Sequence, residues 1–208
     1  TVVILFGQLL TIMDIFIINV SIPSIQQSIH ASNGEMQFII AAYLIGFASF
    51  LITGGRLGDL YGRKRTFIIG LIFFMVSSIA CGISSGAAQL IISRFIQGVS
   101  AAMMAPQVLS MMQTLFPKHE ERTKAMGWYG ITIGIGTILG QFSGGYFSSL
   151  TVFEESWRLI FLINIPICLL AVYYSLKQLD ESKMEVRQSF DTWGVFVLSA
   201  GLFGATYA

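Results

Sequence analysis

Hydrophobic residues run along this chain in long unbroken blocks rather than in alternation. Blocks of roughly 20 apolar residues, enough for a helix to cross about 30 Å of hydrocarbon, occupy approximately 1–22, 36–55, 66–84, 87–115, 125–150 and 157–176. A seventh opens near 192. The fourth and fifth exceed the requirement, so tilt or projecting ends are expected. Continuous blocks argue against a membrane β-barrel, whose strands alternate in segments of about 10 residues. The pattern predicts an all-α polytopic membrane protein with six spans and the start of a seventh.

Composition supports lipid as the solvent. Only 11% of the 208 residues are charged, against about 25% in a soluble domain, while 54% are hydrophobic and mean hydropathy is +0.74. A net charge of +1 gives no basic surface for nucleic acid. Cys81 and Cys168 lie in apolar runs and read as buried thiols rather than a disulfide. The chain starts at Thr1 without a polar leader and stops at Ala208 inside an apolar run, so a piece of a longer protein is expected. The first run has no basic flank and contains Asp14 and Asn19, unlike a signal peptide.

Lysine and arginine set the orientation. Segments 56–65, 117–124 and 177–191 hold ten of the twelve basic residues, and the alternate connections 23–35, 85–86 and 151–156 hold none. By the positive-inside rule the basic connections are cytoplasmic, which places the N-terminus inside the cell. The longest polar stretch, 177–191, suits either a linker after a six-span unit (1–176) or an ordinary cytoplasmic loop. Residues 192–208 then begin a truncated seventh span.

Two ionisable residues interrupt the blocks: Asp14 midway along the first span and Arg94 about two turns into the fourth. Each costs roughly 2.5–3.5 kcal/mol at the bilayer centre on insertion scales, so each needs a partner or a water-filled cavity. Two readings compete. One is a buried Asp14–Arg94 ion pair that fixes packing; the other, favoured here because buried pairs add little stability, is a proton or substrate site facing an aqueous cavity. At 100° per residue, Gly7, Thr11, Ile18 and Ser21 share the Asp14 face, and Gln97, Ala101, Met104 and Val108 follow Arg94. Ser21, Gln97, Ala101 and Met104 are the expected lining of a cavity for lipophilic molecules, although plain core packing explains a Met stripe equally well. Gly130, Gly134, Gly136, Gly140 and Gly144 recur near helical spacing, with Gly145 beside them, and small residues let helices approach closely.

Other chemistry is set aside. The chain contains no phosphate-binding loop and no Cys/His cluster for zinc, and His30 and His119 lie in loops. No enzymatic activity, metal or cofactor is expected.

GRLGDLYGRKRTF, 55–67, resembles the loop motif between spans two and three of the major facilitator superfamily. Gly55, Gly58, Asp59, Gly62, Arg63 and Lys64 match it, and the resemblance implies a conformational latch. Physically, its glycines permit a tight turn, and Asp59 among arginines suits charge-assisted bonds or a helix cap. MDIFIINVSIP, 13–23, is similar to the first-span motif of fourteen-span drug:proton antiporters, with Phe16 and Ser21 as departures. LIISRFIQGVSAA, 90–102, resembles their fourth-span motif, whose arginine, here Arg94, the resemblance links to proton coupling. The fifth-span antiporter motif maps onto Gly127, Gly136, Gly140, Gly144 and Gly145, with Gln141 where the motif has proline. WRLIFLINIP, 157–166, and FDTWG, 190–194, are similar to the sixth- and seventh-span signatures.

The resemblance implies a bundle of two inverted three-helix repeats with a binding site near the midplane. It also implies a proton-driven exporter of lipophilic or cationic drug-like compounds in the cell membrane. The proton gradient supplies the energy, and a C-terminal half of the same transporter completes the cavity. In that reading Asp14 exchanges protons while Arg94 favours its charged form, as a nearby cation does. An importer or uniporter, and a non-transporting sensor or assembly subunit, are the alternatives.

Overall fold

The computed structural model describes residues 2–150 and 155–182, with Gly194 and Gly201. Lys183, Arg187, most of FDTWG and the expected seventh span lie outside the described residues.

Helix α1 (Val2–Ile29) leads through a short turn to α2 (Asn33–Tyr61), then α3 (Arg63–Gly82), α4 (Ala87–Leu115) and α5 (His119–Ser149). A 3-10 turn, Ser156–Arg158, feeds α6 (Leu159–Leu162) and α7 (Asn164–Gln178), which together make the sixth span. Among the described residues, five helical segments, α1 to α4 and Ser156–Gln178, are long and apolar enough to cross a membrane. α5 is the longest helix, at 31 residues, and its many glycines and polar opening lower its hydropathy.

Several ends differ from those read off hydropathy. α1 runs past Pro23 to Ile29, and α2 starts at Asn33 because Ser32 and Glu35 form a reciprocal capping box, which satisfies amides at the helix start. The segment 55–67 is helical except at Gly62. That residue alone separates α2 from α3, and its φ of 108° is a conformation that favours glycine.

α3 packs extensively on α4, and the other two major helix pairs are α2 with α4 and α1 with α5. Each of the latter two joins the first helix of one three-helix unit to the second helix of the other, the relation expected when two repeats interlock. Glycine makes both contacts close. On α5, Gly140 faces the backbone of Met13 and Gly144 that of Ile17; on α2, Gly46 faces the Phe95 carbonyl and Gly54 that of Ala102. The expected glycine stripe is therefore only partly an interface. Gly136, Gly140 and Gly144 meet α1, whereas a Cβ at Gly127, Gly130 or Gly134 would touch nothing within 4 Å. Gln141, in the place of the motif proline, is exposed on an α5 that continues unbroken.

Candidate functional site

Asp14 and Arg94 meet in the middle of the bundle. Asp14 is fully buried and Arg94 1% exposed, and Arg94 Nη1 donates to Asp14 Oδ2 in a short ion pair. The other carboxylate oxygen, Oδ1, accepts from Gln97 Nε2 at 3.0 Å and from Asn164 Nδ2 at 3.1 Å. Gln97 also donates to Ser78 Oγ at 2.7 Å, while its Oε1 accepts from Arg94 at 2.7 Å. The guanidinium lies 4.4 Å from the Tyr43 ring centre and 5.9 Å from that of Phe161, where the ring faces attract a cation.

Sequence order places this polar layer between two apolar clusters. On α1, Leu10 belongs to one and Ile17 to the other; on α3, Phe74 and Cys81; on α4, Ala101 and Leu90; along the sixth span, Cys168 and Phe161. Asp14, Ser78, Arg94 with Gln97, and Asn164 fall between these flanking residues on their respective helices. Four elements thus bring their polar groups to one level. Charges enclosed this way are poorly screened, so each needs its partner.

The structure shows the ion-pair geometry of the first of the two readings of Asp14 and Arg94, and the buried Gly7, Thr11, Ile18 and Ser21 share a face while Asn19 is exposed. The structure encloses the expected lining residues. Ser21, Gln97, Ala101 and Met104 are all fully buried and line no open cavity in this structure. Ser21 Oγ donates to the Ile17 carbonyl at 3.1 Å and receives a bond from Ser148 at 2.8 Å, tying α1 to α5. Ala101 and Met104 belong to the apolar core, Met104 packing beside Gly70 of α3. Helical spacing groups residues on a face; it does not say which neighbour covers that face.

Asn164, Ser78 and Tyr43 were not singled out from the sequence. Asn164 stood within the quoted sixth-span signature, and that was the one signal available.

The segment 55–67 forms a second polar cluster at one end of the bundle. Asp59 pairs with Arg63 at 3.5 Å, and Arg63 reaches Thr114 on α4 at 3.2 Å. Asp59 does not cap α3. Glu181, beyond the sixth span, takes that role, accepting from the backbone amides of Lys64 at 3.1 Å and Arg65 at 3.2 Å. A carboxylate there also complements the positive end of the helix dipole. Gly58 lies against the Gln107 side chain, and Gly55 is near Pro106.

At the opposite end Arg158 donates to the carbonyls of Gly82 at 2.9 Å and Ser84 at 2.6 Å and pairs with Glu155 at 2.6 Å; Glu155 in turn accepts from Ser28 at 2.8 Å. These bonds, from Arg158 first and Ser28 second, hold the Glu155 carboxyl below its ordinary range.

Residues 4–208 match the family model of the Major Facilitator Superfamily. The chain belongs to that superfamily. This facilitator chain is 36% identical over 200 residues to a probable actinorhodin transporter of Streptomyces coelicolor, covering 96% of the chain and 34% of the relative. It is 34% identical over 198 residues to a tetracenomycin C resistance and export protein of Streptomyces glaucescens, covering 95% of the chain and 36% of the relative. The chain thus spans about a third of the length of these relatives. Its fold matches an inward-open xylose transporter of E. coli with a TM-score of 0.78 at 17% identity, covering all of the chain and 56% of that transporter. The facilitator fold makes it a multi-pass membrane protein.

Proposed function

We propose that residues 1–176 form the N-terminal bundle of a proton-coupled exporter of lipophilic or cationic drug-like compounds. In this reading 177–191 is a cytoplasmic linker, 192–208 begins a further span, and a C-terminal half of the same protein completes the substrate cavity. In the same reading the basic connections face the cytoplasm of a cell-membrane protein and the N-terminus lies inside. Relatives named for actinorhodin transport and for tetracenomycin C resistance and export support both the substrate class and the direction.

The observation that carries the proton-coupling reading is the fully buried Asp14–Arg94 pair. An ionisable pair at mid-depth is costly to maintain, and its carboxylate is a site whose charge can change. Protonation of Asp14 leaves Arg94 without its anion, an imbalance relieved by exposing the cluster to water or to a substrate. Alternating access, one bundle rocking against the other, supplies that exposure. A proton-motive force of 100 mV provides about 2.3 kcal/mol per charge, enough for roughly a 50-fold gradient.

The test uses the full-length transporter in energised inside-out vesicles. Asp14→Asn abolishes proton-driven substrate uptake, with release of protons from the vesicle lumen lost alongside it. Undiminished transport by this variant removes Asp14 from the mechanism.

A further inference from the structure

Asp14 Oδ1 is held by two amides, and only one of them lies beside Arg94 on α4. The other, Asn164, comes from the sixth span, 150 positions away in sequence. Its Nδ2 donates to Asp14 and, at 3.4 Å, to Ser78 Oγ. Its own carbonyl oxygen, Oδ1, is buried and has no hydrogen-bond partner among the described residues, and Asn164 as a whole is fully buried. An orphaned acceptor in such a place is costly and has a use only if a donor arrives.

Resting on the proton-site reading above, we propose that Asn164 is a positioning residue that serves both protonation states of Asp14. With Asp14 ionised, Asn164 Nδ2 donates to carboxylate Oδ1, as seen. When Asp14 Oδ1 takes a proton from hydronium, leaving water, the carboxyl charge goes from −1 to 0 and a new O–H donor appears at the position that previously accepted. Rotation of the Asn164 amide then presents Oδ1 to that O–H, and the orphaned acceptor becomes occupied. Loss of the proton reverses the exchange. The same amide, able both to donate and to accept, thus steadies the carboxyl group in each state, whereas Gln97 has its oxygen occupied by Arg94.

The groups facing Asp14 are Tyr43 from α2, Cys81 from α3, Arg94 from α4 and Cys168 from α7; α5 meets α1 through glycines. Of these Arg94 alone carries charge at neutral pH by its ordinary ionisation. A shift in the pH dependence of transport on changing Asn164 therefore reports on Asp14.

Two variants of the full-length transporter test this. Asn164→Leu keeps the branched outline of the side chain with bulkier methyl groups and removes both polar atoms. The bond lost to the ionised form is stronger than the one lost to the acid, so the pH of half-maximal proton-driven exchange moves upward by about half to one unit. Asn164→Asp places a second acid on the same oxygen; like charges disfavour joint ionisation, and the midpoint moves upward further, with the pair titrating in two steps. If Asn164→Leu does not fold, the near-isosteric Asp variant carries the test. Midpoints coinciding with the parent protein's overturn the proposal while leaving the Asp14 reading intact. Proton-driven transport surviving in Asp14→Asn, measured alongside, removes both.

Discussion

Gly98 on α4 lies so close to the main-chain carbonyl of Tyr43 on α2 that a methyl group has no room between them. The obstacle is backbone, so relief requires the two helices to separate. Gly98 immediately follows Gln97, and Tyr43 packs its ring on Arg94. This approach therefore sets the position of the charged layer as well as the helix spacing. Gly98→Ala destabilises the protein by roughly 1–3 kcal/mol, the usual cost of overpacking. Thermal unfolding in detergent measures it. Gly134→Ala is the control: a Cβ there meets nothing, and the helix preference of alanine leaves stability unchanged or slightly raised.

Removing one member of the buried pair leaves the other uncompensated. Arg94→Gln alone is expected to cost about 3–5 kcal/mol. Arg94→Gln combined with Asp14→Asn recovers much of that loss, because neither residue is then charged. Chemical denaturation of the two single variants and the double variant gives the coupling. Stability returns in the double variant while proton-driven transport does not.

Glu181 ties the segment after the sixth span to the start of α3. In Glu181→Ala the amides of Lys64 and Arg65 lose their acceptors, and their hydrogen exchange accelerates relative to the parent protein. The loss in global stability is about 1 kcal/mol, as for a helix cap. The pairing of Arg65 with Glu181 at 3.6 Å is largely exposed on the arginine side and adds little.

The Glu155–Arg158–Ser28 clamp depends on pH with a definite sign. Glu155 is held below its ordinary range in the folded state. Its contribution is therefore present above the carboxyl's unfolded value and is lost as pH falls through the lower folded one. Acidification through that window loosens the end of the bundle where Ser28 and Arg158 meet. Hydrogen exchange near residues 82–84 rises there, and Glu155→Gln removes most of this acid sensitivity.

The spans, their order and the unusual standing of Asp14 and Arg94 were legible in the chain. A membrane helix must satisfy its own backbone, so unbroken hydropathy translates directly into helices. A charge in such a run stands out for the same reason. Helix ends were less legible: Pro23 does not stop α1, and Gly62 ends α2 where charge had marked a broad loop. What covers the expected lining residues was not legible either. Ser21, Ala101 and Met104 lie on the predicted faces, but those faces are covered by α5 and α3.

By itself the sequence determined an all-α membrane bundle, the two charges inside it and the glycines that permit close helix approach, because these follow from local solvation and backbone geometry. Only the tertiary structure decided which glycines meet a neighbour, that Asp14 and Arg94 are sealed together rather than open, and that Asn164 completes their layer. Those outcomes depend on contacts between helices far apart in the chain, and the periodicity of one helix carries no information about which side chain of another will fill the space beside it.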